Sequence, residues 1–265
     1  MTRSKPSIVC EKEIREILRD RRSLLQVFAF PILLGLVADR FFLLMRHQTF
    51  LDIWSYFCPT FALFAAYLNI PIGVSMTTGE KERNTAETDL TLCVSRKELI
   101  LGKYLAIMLC NVISAAVMFL SIIVANSVSG FCSLSQVSFS SGQFYHKLII
   151  CYFVYSGQYI IWFSSMILLT GLFARNTKEA TGLLNALFMA TAFVPVAGMG
   201  FGMKLTFVTI LVPIANCSVV CRQFMNSTVE WYWWLILLCT VIIYTWIPIQ
   251  YAIRLIKSDA MLNPP

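Results

Sequence analysis

The side chains able to do chemistry concentrate between Gly79 and Tyr104, in Gly-Glu-Lys-Glu-Arg-Asn-Thr-Ala-Glu-Thr-Asp-Leu-Thr-Leu-Cys-Val-Ser-Arg-Lys-Glu-Leu-Ile-Leu-Gly-Lys-Tyr, with long apolar runs on both sides. Glu87, Thr88, Asp89 and Leu90 offer charge and a small apolar knob, the chemistry of a grip for another protein. Asn84 followed by Glu87 has capping-box spacing, in which each side chain satisfies an orphan backbone N–H at the other's position. Ser95 and Glu98 repeat it just before Leu99-Ile100-Leu101. The spacing predicts a short surface helix from about Thr85 to Leu92, a turn, then a membrane helix. At 1.5 Å per residue the short helix is about 12 Å long and cannot cross a bilayer.

Covalent and nucleotide chemistry lack their usual groups. No Gly-x-x-x-x-Gly-Lys-Ser/Thr loop occurs, so the chain is not expected to hold ATP. No His-Glu-x-x-His occurs, and His47 and His146 both fall on the outer side, which argues against an intramembrane zinc protease. The nine cysteines (10, 58, 93, 110, 132, 151, 217, 221 and 239) lack metal spacing and read as buried, inert thiols. Cys217 and Cys221 share a face if their segment is helical, which leaves a disulfide there open, as it is for Cys132. No nucleophile–base pair emerges, so no catalytic residue and no bound metal are expected, and a membrane-embedded enzyme is disfavoured.

These residues must be positioned by membrane-spanning helices. The 265 residues are 58% hydrophobic and 13% charged, with a mean hydropathy of +0.71. A soluble domain carries roughly 25% charge. Apolar runs of about 20 residues match a hydrocarbon core of roughly 30 Å. Six spans are expected, over 23–45, 54–76, 99–125, 147–174, 180–199 and 231–253. Pro31 and Gly35 are tolerated inside the first, and Pro59 and Pro71 lie near the ends of the second. Residues 8–22 read as an amphipathic interface helix, with Ile14, Ile17 and Leu18 on one side and Glu13, Arg15, Glu16 and Arg19 around the rest. Residues 79–98 form a cytoplasmic loop, and 126–146 a Ser-rich outer loop. Between Lys204 and Arg222, Pro213 and Asn216 interrupt a short apolar stretch. A re-entrant hairpin over 204–224, shielded by protein, fits best. No cleavable signal peptide is expected.

The spans carry no Asp, Glu, Lys or Arg near their centres, which disfavours an ion-coupled carrier. Mid-membrane polar candidates are Asn69, Asn111, Gln158 and Asn185, as interhelical glue or as pathway groups. Orientation follows from counting Lys and Arg. Sixteen fall in the N-terminal segment, the 79–98 loop with Lys103, the Arg175 loop and the tail. Arg40, Arg46, Lys147, Lys204 and Arg222 fall on the opposite side. Both termini are therefore expected in the cytoplasm, with the net charge of +7 facing anionic lipid rather than nucleic acid.

With that topology, the motif resembles permease subunits of type-2 ABC exporters, especially the sodium-efflux (NatB-like) branch. The match runs through Gly79, Glu80, Lys81, Glu82, Arg83, Thr85, Glu87, Thr88, Val94, Ser95, Arg96, Gly102 and Lys103. Lys12 to Arg22 is similar to the family's N-terminal elbow helix, and Lys178-Glu179-Ala180 to its second cytoplasmic loop. Pro213-Ile-Ala-Asn216 with Arg222 resembles its outer re-entrant hairpin. Asn84, Asp89 and Cys93 depart from the usual glycine, leucine and proline, and the large outer domain of longer members is missing after the first span. The resemblance implies a half-transporter in the cell membrane, two permeases (identical or diverged siblings) working with ABC ATPase subunits that hold ATP and Mg. It implies ATPase coupling through Glu82, Arg83, Thr85, Glu87, Thr88, Asp89, Leu90, Lys178 and Glu179. An ATP-independent carrier or channel is the alternative. The cargo stays open among ions, lipids, drugs and peptide-like molecules.

Overall fold

The computed structural model describes residues 5–44, 63–83, 95–128, 141–201, 206, 209, 211–212, 215–226 and 229–257, and these are helical apart from short connections. Helix α1 (Lys5–Arg19) is the expected amphipathic element. Its buried stripe is Val9, Cys10, Glu13 and Ile17, whereas Leu18 is exposed. Glu13 is thus on the packed face and not on the solvated one, because a tertiary partner waits there. Asp20 starts the next helix by accepting hydrogen bonds from the Arg22 and Ser23 N–H groups. The chain then continues through α2 (Arg21–Leu24), a π-helical turn (Leu25–Ala29) and α3 (Phe30–Leu44).

The expected second span is broken within its described part. Residues 63–68 are helical, Asn69 forms a turn, and α4 (Ile70–Ser75) begins with Pro71 in its first turn. Pro71 has no N–H to donate back, so the ladder cannot run through. Asn69 covers part of the loss, its Nδ2 reaching the Ala65 carbonyl at 3.4 Å. A second turn at Met76–Thr77 leads into α5 (Thr78–Glu82). The start of the polar motif is therefore a tucked helical turn, not a loop.

Among the described residues, three helices are long and apolar enough, by length and composition, to cross a membrane. They lie within α6 (Arg96–Val128), α7 (Ser141–Phe173) and α10 (Trp231–Lys257). Each is longer than its apolar run, and α7 takes in the last residues of the expected outer loop. Helix α8 (Thr177–Phe201) covers the expected fifth span. Pro248 lies inside α10, which continues past it. The span within α7 is 61% buried against 44% for the other two, which makes α7 the central helix. Its core face carries Tyr152, Tyr155, Tyr159, Phe163 and Ile167. Helix α6 packs on α7, with α1 and α3 against α6 and α10 against α7. Helix α9 (Ala215–Asn226) packs on α7, α8 and α10, and every residue from 215 to 221 is buried. That enclosure shields the polar side chains of Asn216 and Ser218. Outward faces carry Leu120, Val124, Phe193, Ile242 and Trp246, exposed as lipid-facing side chains would be.

Candidate functional site

The first half of the motif is a clamp on helix ends. Lys81 Nζ donates to the carbonyls of Leu172 and Ala174, at the C-terminus of α7. Those carbonyls have no intrahelical partner and carry the negative end of the helix dipole. Burial pushes the Lys81 ammonium below its ordinary value of 10.5. Thr78 Oγ1 donates to the Gly171 carbonyl at 2.8 Å. Gly171 is required by close approach, since a Cβ there would lie 1.9 Å from Thr77 Oγ1. Glu82 Oε1 accepts from the Thr177 N–H at 2.7 Å, at the N-terminus of α8. One short helix thereby holds the end of α7 and the start of α8.

Beside it lies a buried ionic cluster. Lys103, on the second turn of α6, donates to Glu80 Oε2 at 2.5 Å, Glu13 Oε1 at 3.2 Å and the Met76 carbonyl at 2.8 Å. The side chains of Lys103 and Glu13 are only 6% and 2% exposed, so Lys103 is not facing lipid headgroups as the charge count assumed. Burial raises the Glu13 carboxyl above its ordinary 4.5, and Lys103 pulls it back in part. The cluster joins α1, α5 and α6. Gly102 makes the approach possible: a Cβ there would lie 2.5 Å from Val9 Cβ and 3.0 Å from the Pro6 carbonyl oxygen.

Of the predicted coupling residues, Glu82, Arg83, Lys178 and Glu179 fall on this surface. Glu82 meets the 177–179 turn directly, while Arg83 closes α5. Glu179 Oε2 accepts from the Arg175 N–H, and its own N–H donates to Asn176 Oδ1 at 2.8 Å, so it starts α8. Lys178 is exposed. Thr85, Glu87, Thr88, Asp89 and Leu90 lie outside the described residues, as do the Asn84–Glu87 box and the short helix read over them. The second capping box is formed: Ser95 N–H donates to Glu98 Oε2 at 2.9 Å, and Glu98 N–H to Ser95 Oγ at 3.3 Å.

Three of the four predicted mid-membrane amides, Asn69, Asn111 and Gln158, enter two separate networks. Asn69 Nδ2 lies 3.0 Å from Asn111 Oδ1 and 2.9 Å from Ser114 Oγ, and Asn111 Nδ2 donates to Ser164 Oγ at 2.9 Å. Ser114 Oγ donates to the Val27 carbonyl inside the π-helical turn at 3.1 Å. This network ties the first four predicted spans together. In the second, Gln158 Nε2 donates to Asn216 Oδ1 at 2.8 Å, and Asn216 Nδ2 to Thr240 Oγ1 at 3.0 Å. It joins α7, α9 and α10. Asn185 is half-buried on α8 and enters neither network, and Arg222 is half-buried on α9. Pro213 lies outside the described residues. Cys217 and Cys221 do share a face, their sulfurs 3.9 Å apart as free thiols; Cys132 lies outside the described residues.

Sequence reading missed Glu13, Glu80, Lys81 and Lys103 as site residues. Two signals were present: Glu80, Lys81 and Lys103 belong to the motif that carries the family resemblance, and Glu13 sits between Cys10 and Ile17 on a helical stripe, an acid where an apolar residue belongs.

A helical membrane protein whose polar motif clamps several helix ends is the class defined here. The family described as ABC-2 family transporter protein matches residues 7–249, and the chain belongs to that family. It is thus a transmembrane permease, the membrane component of an ABC transporter, not itself catalytic. No curated protein matches the sequence.

Proposed function

We propose that the chain is the permease subunit of an ATP-driven export system in the cell membrane. Six spans and cytoplasmic termini complete the reading, with a second permease beside it and separate ATPase subunits holding ATP and Mg. The motif's likeness to the sodium-efflux branch supports kinship with that group in this reading, with the cargo open among ions, lipids, drugs and peptide-like molecules. The single observation that carries the coupling mechanism is the α5 clamp. Lys81 and Glu82 attach α5 to α7 and α8, and Glu80 attaches it through Lys103 to α1 and α6. A push on the adjoining 84–94 segment therefore reaches several helices as one body. Thr85, Glu87, Thr88, Asp89 and Leu90 make the contact in this reading, with Arg83 and Lys178 at its border. Asn69, Asn111 and Asn185 are the candidates for pathway or interhelical glue, the burial and mutual hydrogen bond of Asn69 and Asn111 favouring glue for those two, and Pro213, Asn216 and Arg222 belong to the outer hairpin in this reading.

The test is crosslinking of Thr88→Cys to a cysteine-bearing ATPase subunit across nucleotide states. A crosslink whose yield changes with ATP supports the mechanism. No crosslink in any state, or transport by the permease alone in liposomes without nucleotide, refutes it.

A further inference from the structure

Between α1 and the corner where α4 meets α5 lies an open cleft of about 460 Å³. That volume is in the range of sites that take small ligands. Four carboxylates (Glu13, Glu16, Asp20 and Glu80) and two cations (Lys12 and Arg83) line it. The cleft is thus acidic in a chain whose net charge is +7. Glu13, Glu16 and Asp20 follow one another at spacings of three and four, along one stripe of α1 and the residue just past its end.

Three of these groups have bonding capacity to spare. Glu13 meets Lys103 through Oε1, and its Oε2 has no partner among the described residues. The Glu13 side chain is 2% exposed, so what it shows to the cleft is the tip of a nearly buried carboxylate. Glu16 on α1 and Arg83 at the end of α5 are exposed, and neither side chain makes a hydrogen bond or ion pair among the described residues. Opposite charges that line one cleft without meeting leave room for a guest that carries both signs. Its cation belongs at Glu13 and Glu16, and its anion at Arg83. A primary ammonium suits the acidic side best, because it donates hydrogen bonds to carboxylate oxygens as well as bringing charge. The surroundings indicate where such a guest comes from. Ser23, the first residue of the expected first span, lines the cleft, and Leu18, Leu25 and Phe28 nearby in the chain are exposed. An amphipathic interface helix with apolar side chains beside a charged cleft is placed to hold a lipid by its head.

We propose that this cleft binds the phosphoethanolamine head of an aminophospholipid, the ammonium against Glu13 and Glu16 and the phosphate against Arg83. The acyl chains lie over Leu25 and Phe28. The lipid is a bound component at the membrane surface and not the cargo, so the assignment holds whatever the chain exports.

The purified full chain in detergent is titrated with dioleoyl-phosphatidylethanolamine, -phosphatidylcholine and -phosphatidylglycerol, and bound lipid is counted by native mass spectrometry. Phosphatidylcholine keeps the phosphate but has a trimethylated ammonium that cannot donate. One copy of phosphatidylethanolamine should bind about fivefold tighter than phosphatidylcholine. Glu16→Gln should remove most of that preference, and Arg83→Gln should weaken both lipids. Both side chains are exposed and unpaired among the described residues, so thermal unfolding without lipid should match wild type in each variant. Equal affinity for the two zwitterionic lipids, or phosphatidylethanolamine binding unchanged in both variants, overturns the proposal. So does tighter binding of phosphatidylglycerol, the behaviour of an ordinary basic surface. Glycerophosphoethanolamine has the same head and no chains. Competition by it only at far higher concentration than the lipid supports a membrane ligand, and competition at equal concentration overturns the assignment to lipid.

Discussion

Lys103 is placed where its loss exposes the largest imbalance of charge. Lys103→Met keeps the length of the side chain but takes from buried Glu13 the ammonium that donates to it, and removes the same donor from half-buried Glu80. Breaking a buried pair from one side costs about 3–5 kcal/mol. Glu13→Gln leaves Lys103 its closer partner Glu80, so its cost should stay below about 2 kcal/mol. Thermal unfolding of the two variants in detergent, compared at one pH, checks the order. The same cluster sets a pH dependence. Burial holds the folded Glu13 carboxyl above its ordinary 4.5, so the folded protein binds the proton more tightly than the unfolded chain. Its contribution is complete below the ordinary value and is lost as pH rises through the raised one. Wild-type stability should therefore carry a downward component on the alkaline side of pH 4.5 that Glu13→Gln lacks.

At the scale of elements, α1 and α6 touch through a glycine. Gly102→Val forces α1 away, because Val9 Cβ and the Pro6 carbonyl already occupy the space a side chain would need. Overpacking of this kind costs about 1–3 kcal/mol, more than the few tenths that valine regains over glycine in helix propensity. Cys10 reports the displacement directly. It is 7% exposed and its thiol is pushed up by burial, so maleimide labelling should be slow in the native protein and fast in Gly102→Val. Asn69 tests the other junction. Asn69→Ala removes donation to Asn111, Ser114 and two carbonyls at the break in the second predicted span. Interhelical hydrogen bonds in membranes average about 0.6 kcal/mol, so a loss of about 1–2 kcal/mol is expected in an unfolding titration.

For the whole molecule, the clamp predicts loss of coupling without loss of hydrolysis. Glu82→Ala unties α5 from the Thr177 N–H and leaves the ATPase subunit untouched. In the assembled transporter, ATP-driven transport should fall several-fold while ATP hydrolysis persists, both measured in the same proteoliposomes. Equal loss of the two activities places Glu82 in assembly and not in transmission.

Composition and run length were sufficient for an all-helical membrane protein. The Ser95–Glu98 box was legible because a cap is a local bargain between residues three apart. The resemblance around Gly79 to Lys103, a family pattern, agrees with the family match over 7–249. What the tertiary structure alone decided is where the charges of that pattern go. Glu13 and Lys103 are 90 residues apart, and Lys81 lies 91 residues from the carbonyl it caps. Periodicity ranks a charged side chain as solvated because burying it unpaired is prohibitive. Only folding supplies the distant partner that reverses the sign, and so turns an apparent loop into the clamp that joins these helices.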